Sequence, residues 1–259
     1  MIPKPLWVLL AMSALAYGGV CGLLYVKQRH LIYFPQHTRV PARTTDFELQ
    51  RGDAVLRGWV ANPGRSQAII YFGGNGESVQ DNRDEFARWL PGHNVYLVAY
   101  RGYGASDGQP DQEALFADAL AVFDHVQAAH PQRPVSVVGR SLGSGVASYL
   151  SSQRQVGRLA LVTPFDSLAS VAQSHYPWLP VRWLLRDRYE STRHLAGYRG
   201  PLLVVRAGRD DVVPPANTDR LLASLPRRPQ VLTLPESDHN TLDPTAYGAA
   251  LTAFFEPPA

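Results

Sequence analysis

The stretch "GRSLGSG", residues 139–145, follows directly on the apolar run "VSVV" of residues 135–138. It packs three glycines and two serines into seven residues, and two separate demands account for that composition. A chain that leaves a buried strand and turns at once into a helix needs glycine wherever a side chain would meet the crossing backbone. Gly139-Arg140-Ser141-Leu142-Gly143 also fits G-x-S-x-G, in which a serine hydroxyl is held out on a sharp strand-to-helix turn. Both demands require a buried strand before residue 139 and a helix after residue 141, so the surrounding pattern decides the reading.

That pattern is regular. "QAIIYF" (67–72), "NVYLVAY" (94–100), "VSVVG" (135–139), "RLALVT" (158–163), "PLLVVRA" (201–207) and "QVLTLP" (230–235) are short continuous apolar runs. Such runs are expected of strands buried on both faces of a parallel sheet. Helical spacing separates them, most clearly over 111–130, where Leu115, Ala119, Val122, Phe123 and Val126 share one face and Asp111 is placed to cap the start. Further helices are expected at 78–90, 142–153, 216–225 and 244–255. Two more strand-like stretches, 44–49 and 55–60, precede the alternation across the turn "QRGDA". The fold class is therefore α/β, a mostly parallel, doubly wound sheet of about eight strands. One interval, 164–200, is too long and too rich in Trp, Tyr and Pro for a plain connection. It reads as a small helical cap over the C-terminal strand ends, where open α/β sheets bind ligands, with an ordinary crossover helix as the simpler alternative.

The chain has 259 residues, 45% hydrophobic and 18% charged, with a net charge of +3. This composition describes a folded domain, and the scattered arginines form no basic stripe, which argues against nucleic acid as a partner. Cys21 is the sole cysteine, which excludes an intrachain disulfide and a cysteine-based metal site. It lies in "LWVLLAMSALAYGGVCGLLYV", residues 6–26, which carries no charge. A helix of that length reaches across the roughly 30 Å hydrocarbon core of a bilayer. We therefore expect an N-terminal membrane anchor over residues 1–27 and a catalytic body over 28–259. A signal peptide cut after Ala14-Leu15-Ala16 is disfavoured because the chain stays apolar beyond that point; a buried soluble helix would show a polar face. Lys27, Arg29, Arg39 and Arg43 after the span outnumber Lys4 before it, which places the body on the cytoplasmic side.

A serine hydroxyl needs a neighbouring base to become a nucleophile. In chain order Ser, acid, His, the candidates are Ser141, then Asp210 or Asp211 in "GRDDVVPP" after the 201–207 run, then His239 in "ESDHNTL" after the 230–235 run. Each stands where a strand ends, so the three can converge. His239 takes the proton from Ser141, and the carboxylate holds its tautomer. The backbone N–H of Leu142 and that of Asn75, in the glycine-rich "FGGNGES" after an early strand, would form an oxyanion hole. The same glycines lack the G-K-[ST] or G-x-G-x-x-G continuation of a nucleotide site.

Taken together, "YFGGNGES", "NVYLVAYRGYGASDGQP", "GRSLGSGVA", "TPFDSL", "GRDDVVPP" and "DHNTL" resemble the small membrane-anchored α/β-hydrolases. That group includes bacterial serine aminopeptidase-like hydrolases and eukaryotic enzymes that cleave lipid esters and protein S-acyl groups. The resemblance runs over about residues 28–255 and includes the anchor. It implies an α/β-hydrolase fold with Ser141 as nucleophile, the acid of its D-x-V-V-P pattern on Asp210 rather than Asp211, and the base on His239; Asp166 is a remote third acid. The chain departs from the family where His-Gly-Asn is replaced by Gly73-Gly74-Asn75, and where the acid strand ends Arg206-Ala207 instead of His-Gly. The function so implied is hydrolysis of an ester, thioester or amide through an acyl-enzyme, with no metal or organic cofactor. The anchor, with Tyr176, Trp178 and Trp183 of the cap, points to a small or lipid-like apolar acyl substrate. Two alternatives remain: an aminopeptidase, which needs Asp107 or Glu77 to hold a free amine, and a non-catalytic binding scaffold.

Overall fold

Eight strands form one sheet: β1 (Phe47–Arg51), β2 (Ala54–Ala61), β3 (Gln67–Phe72), β4 (His93–Val98), β5 (Ser136–Arg140), β6 (Leu159–Val162), β7 (Leu202–Ala207) and β8 (Gln230–Leu234). The computed structural model describes residues 3–256, so positions 1–2 and 257–259 of the two expected segments lie outside the described residues. The strand order is β1-β2-β4-β3-β5-β6-β7-β8. From β4 to β8 every neighbouring pair is parallel, and β2 runs antiparallel to both β1 and β4. The continuous apolar runs are explained by position: Ile69, Ile70, Val137, Val138, Leu161 and Val204 are all 0% exposed, with helices on both faces. Each such side chain contributes about 1.5–3 kcal/mol when taken out of water.

β8 departs from that expectation. It pairs only with β7, and as the edge strand it leaves Gln230, Val231 and Thr233 exposed while burying Leu234. An apolar run does not by itself distinguish an edge strand from a central one.

The helices follow the periodicity. The N-cap Asp111 accepts the N–H of Ala114 at 2.8 Å, and α3 (Gln112–Ala129) buries all five of the residues placed on its inner face. α4 (Leu142–Gln153) and α9 (Pro244–Phe255) have the expected bounds, and α8 covers Pro215–Ser224. The helix expected from residue 78 begins instead as a 3₁₀ turn, Val79–Asn82, and only then becomes α2 (Arg83–Trp89). The cause is local: the amide of Asn82 is tied back to the Glu77 carboxylate at 2.7 Å. In the 164–200 interval three short helices occur, α5 (Leu168–His175), α6 (Val181–Leu184) and α7 (Ser191–Leu195). His194 of α7 meets Tyr149 of α4 edge-on, with ring centroids 5.2 Å apart, as a crossover helix between β6 and β7 would.

Before the sheet, α1 (Lys4–Ile32) runs unbroken past the expected boundary at residue 27. Its first two-thirds is exposed and apolar, long enough to cross a membrane. Its last turns are polar yet remain helical because they dock: Gln28 is buried, and Arg29 pairs with Asp111 at 3.2 Å and Asp187 at 3.5 Å.

The tightest packing lies where α4 meets β3. A Cβ on Gly143 would overlap the carbonyl of Phe72 and stand 2.7 Å from that of Gly73. Both are backbone atoms, which cannot swing aside as the end of a flexible side chain can. Gly143→Ala is therefore expected to cost roughly 3 kcal/mol, the upper end for overpacking. Thermal unfolding of the detergent-solubilised variant checks this, with a melting temperature lower by about 10 °C.

Candidate active site

β5 ends at Arg140 and α4 begins at Leu142, so the whole change of direction falls on Ser141. Its φ of +50° and ψ of −117° lie outside both helical and extended regions. Such a conformation costs of order 1–3 kcal/mol and survives only where its surroundings hold it. They do so here, because the Ser141 N–H donates to Val162 O at 2.9 Å. The glycines of the opening stretch fit around it. A Cβ on Gly139 would stand 2.7 Å from Ala147 Cβ, and one on Gly145 would stand 2.9 Å from the Tyr189 ring.

The loops after β7 and β8 bring a carboxylate and an imidazole to this turn. His239 Nε2 lies 2.8 Å from Ser141 Oγ. Its Nδ1 lies 2.9 Å and 2.8 Å from the two oxygens of Asp210. Asp210 is held in turn by the N–H groups of Val212 at 3.1 Å and Val213 at 2.7 Å. His239 and Asp210 are buried, 5% and 8% exposed. With the carboxylate accepting from Nδ1–H, Nε2 is left as the acceptor for the serine hydroxyl. Of the three acids named from sequence, only Asp210 reaches the imidazole. Asp211 is exposed, and Asp166 is taken up by Asn217 at 2.8 Å and Arg220 at 2.6 Å. Asp238 shapes the last loop by accepting the N–H groups of Thr241 and Asn240, which hold its carboxyl below the usual range.

Beside the serine runs the loop 73–76. Among the described residues, the backbone N–H groups of Asn75 and Leu142 have no protein acceptor. Leu142 also opens α4, whose N-terminal end carries the positive pole of the helix dipole.

Sequence reasoning missed how this loop is held. Tyr100 donates its hydroxyl proton to Gly73 O at 2.8 Å. Glu77 accepts from Gly74 N–H at 2.5 Å, Tyr71 at 2.6 Å and Asn82 at 2.7 Å, and pairs with Arg140 at 3.4 Å. Arg140 also donates to the carbonyls of His239 at 3.2 Å and Asn240 at 3.3 Å. Burial works against its charge, but Tyr71 and Glu77 outweigh that and leave its pKa above the ordinary value. One ion pair therefore fixes the early loop, the turn and the histidine loop together. It explains Gly73 in place of a histidine, because a Cβ there would meet Val79 at 2.5 Å and Glu77 at 3.2 Å. The Asn75 side chain faces away from the serine. It accepts from Tyr103 at 2.7 Å and Phe34 N–H at 3.2 Å, and donates to Ile32 O at the end of α1.

Comparison with known proteins gives the family and the fold. The family model for serine aminopeptidase S33 matches residues 65–186. A protein of Mycobacterium tuberculosis is 36% identical over 244 residues, covering 89% of this chain and 86% of the relative. The α/β-hydrolase domain-containing protein WAV2 of Arabidopsis thaliana is 29% identical over 261 residues, covering 84% of each. In the fold, Est1E of Butyrivibrio proteoclasticus superposes with a TM-score of 0.67 at 16% identity, over 81% of this chain and 97% of that one. The chain belongs to the α/β-hydrolase superfamily. A further relative, the lysophosphatidylserine lipase ABHD12 of Rattus norvegicus, is 32% identical over 167 residues, which is 56% of this chain and 42% of that protein.

Within this α/β-hydrolase the Glu77–Arg140 pair is open to test, the two side chains being 12% and 18% exposed. Removing one partner of a buried pair strands the other charge. Both variants strand Arg140: Glu77→Leu is expected to destabilise by about 4 kcal/mol, and Glu77→Gln, which keeps an acceptor for Gly74 N–H, by about 1 kcal/mol less. Thermal or chemical unfolding of the two variants beside the wild type reads the difference.

Proposed function

We propose that the chain is a membrane-anchored serine hydrolase acting on an ester, thioester or amide of an apolar acyl group. The observation that carries the proposal is the unbroken line from Ser141 Oγ through His239 Nε2 and Nδ1 to Asp210, each step 2.8–2.9 Å. His239 takes the proton of Ser141 as Oγ attacks the acyl carbon, and the carbonyl oxygen becomes an oxyanion held by the N–H groups of Asn75 and Leu142. As the bond to the leaving group breaks, His239 returns that proton to it, leaving an acyl-enzyme on Ser141. Water, deprotonated by the same imidazole, attacks the acyl-enzyme; the acid is released and Ser141 regains its proton. Asp210 keeps its negative charge throughout and steadies the imidazolium. No metal or organic cofactor enters these steps.

The anchor comprises residues 1–27, the hydrolase body 28–259 and the cap 164–200. The length and apolar surface of α1 support the anchor, and Lys27, Arg29, Arg39 and Arg43 put the body on the cytoplasmic side. An apolar acyl substrate suits an enzyme tethered to a bilayer, and the rat relative is named a lysophosphatidylserine lipase. The two carboxylates named for an aminopeptidase are both engaged elsewhere. Glu77 is occupied as described, and Asp107 is spent on Arg57 at 3.1 Å and Val55 N–H at 3.1 Å.

A fluorophosphonate probe with intact-mass readout tests the nucleophile. One adduct per wild-type chain and none on Ser141→Ala is the expected result; an unlabelled folded wild type overturns the proposal. Asp210→Asn should lower kcat by about 10⁴-fold through loss of the correct tautomer. Among p-nitrophenyl esters, hydrolysis should rise with acyl length, and activity confined to acetate would rule out the apolar substrate.

A further inference from the structure

The cap touches α1 at two heights. Near the body, Gln28 donates to Leu184 O at 3.2 Å and accepts from Arg186 N–H at 2.7 Å, while the Arg186 guanidinium lies 4.2 Å from the Tyr25 ring centre. Far from the body, Tyr17 donates its hydroxyl proton to Trp178 O at 2.8 Å. Between Tyr17 and Gln28 the helix rises about 17 Å, and over that length the cap stands beside it. Only Lys4 to Ala16 lies beyond the cap. Thirteen residues of helix reach about 20 Å, short of the roughly 30 Å hydrocarbon core. A docked α1 therefore spans a bilayer only if the cap enters the bilayer with it.

The composition of the cap tip fits that position. From Leu168 to Val181 there is no Asp, Glu, Lys or Arg, and the single histidine, His175, is bonded to Val212 O at 2.9 Å. Tyr176 and Trp178 are 52% and 60% exposed at the tip, and Trp183, further along at the level of Gln28, is 89% exposed. Arg182 and Arg186 begin only there, where long basic side chains reach back to lipid headgroups. Uncharged residues with exposed aromatics lie deep, and tryptophan with arginine lies at the boundary.

We infer that the tip of the cap, Tyr176 to Pro180, is a lipid-binding surface immersed in the leaflet that α1 enters from the body side. The inference rests on the reading of α1 as a spanning helix. Its occupant is the acyl region of that leaflet. With the span ending near Tyr25, Tyr17 and hence Trp178 lie about 12 Å inside the hydrocarbon boundary. Through His175 the immersed tip is tied to the loop that carries Asp210.

Nitroxide labelling of the full-length chain in phosphatidylcholine nanodiscs tests this. In a Cys21→Ser background, single labels are placed at Trp178→Cys, at Leu10→Cys on α1 as the lipid reference, and at Asp81→Cys on the body as the water reference. Collision with oxygen is compared with collision with a water-soluble nickel chelate. The label at 178 is expected to match that at 10, with an oxygen-to-nickel ratio about tenfold above that at 81. A label at 178 that matches 81 while 10 reads as lipid overturns the inference. A label at 10 that itself reads as water overturns the spanning helix and the inference with it. Fluorophosphonate labelling of Ser141 in the same samples reports separately on the hydrolase reading and confirms that each labelled chain is folded.

Discussion

At Gly143 α4 presses against the end of β3 with no space for even a methyl group. Much else follows from it. The strand must turn into the helix within one residue, so Ser141 takes a conformation that few residues adopt. The start of α4 then lies beside the loop that leaves β3, with Gly143 against the carbonyls of Phe72 and Gly73. Strain at one residue is held by many ordinary contacts, which is how folded proteins keep a reactive geometry.

A second layer of polar contacts turns that geometry into one unit. Glu77 and Arg140 lie behind the site and bond to the backbone of the 73–76 loop and of the histidine loop respectively. An ion pair so little exposed adds less net stability than its Coulomb energy suggests, because both charges have left water. Its value here is positional: three segments distant in sequence are fastened to one pair of side chains. The replacement of a histidine by Gly73 is the counterpart of this arrangement, since Glu77 and Val79 occupy the space that a side chain at 73 would need.

The N-terminal helix is joined to the same framework. Its last turns bury Gln28, pair Arg29 with Asp111 and Asp187, and present Ile32 O and Phe34 N–H to the amide of Asn75. Asn75, in the loop beside Ser141, is thus held by the end of α1. A helix that looks, in sequence, like a tether attached to a finished domain is in structure one wall of it.

Much of this was legible in the amino-acid order. Five of the six continuous apolar runs became buried parallel strands, the capping residue Asp111 and the face of α3 were as read, and Ser141, Asp210 and His239 came together at strand ends. These features depend on local period, on turn chemistry and on chain order, which a sequence carries directly. Spacing alone left Asp210 and Asp211 both open, and only the family pattern favoured Asp210; the edge position of β8 and the tasks of Glu77, Arg140 and the Asn75 side chain did not appear, because each depends on which distant residue arrives beside it. The length of α1 was likewise underestimated: Gln28 and Arg29 look like the polar end of a span until the partners that bury and pair them are in place. Sequence determined the elements and the kinds of chemistry they carry. Tertiary structure decided which groups meet, because burial, pairing and the exclusion of side chains at Gly73 and Gly143 are properties of neighbours in space.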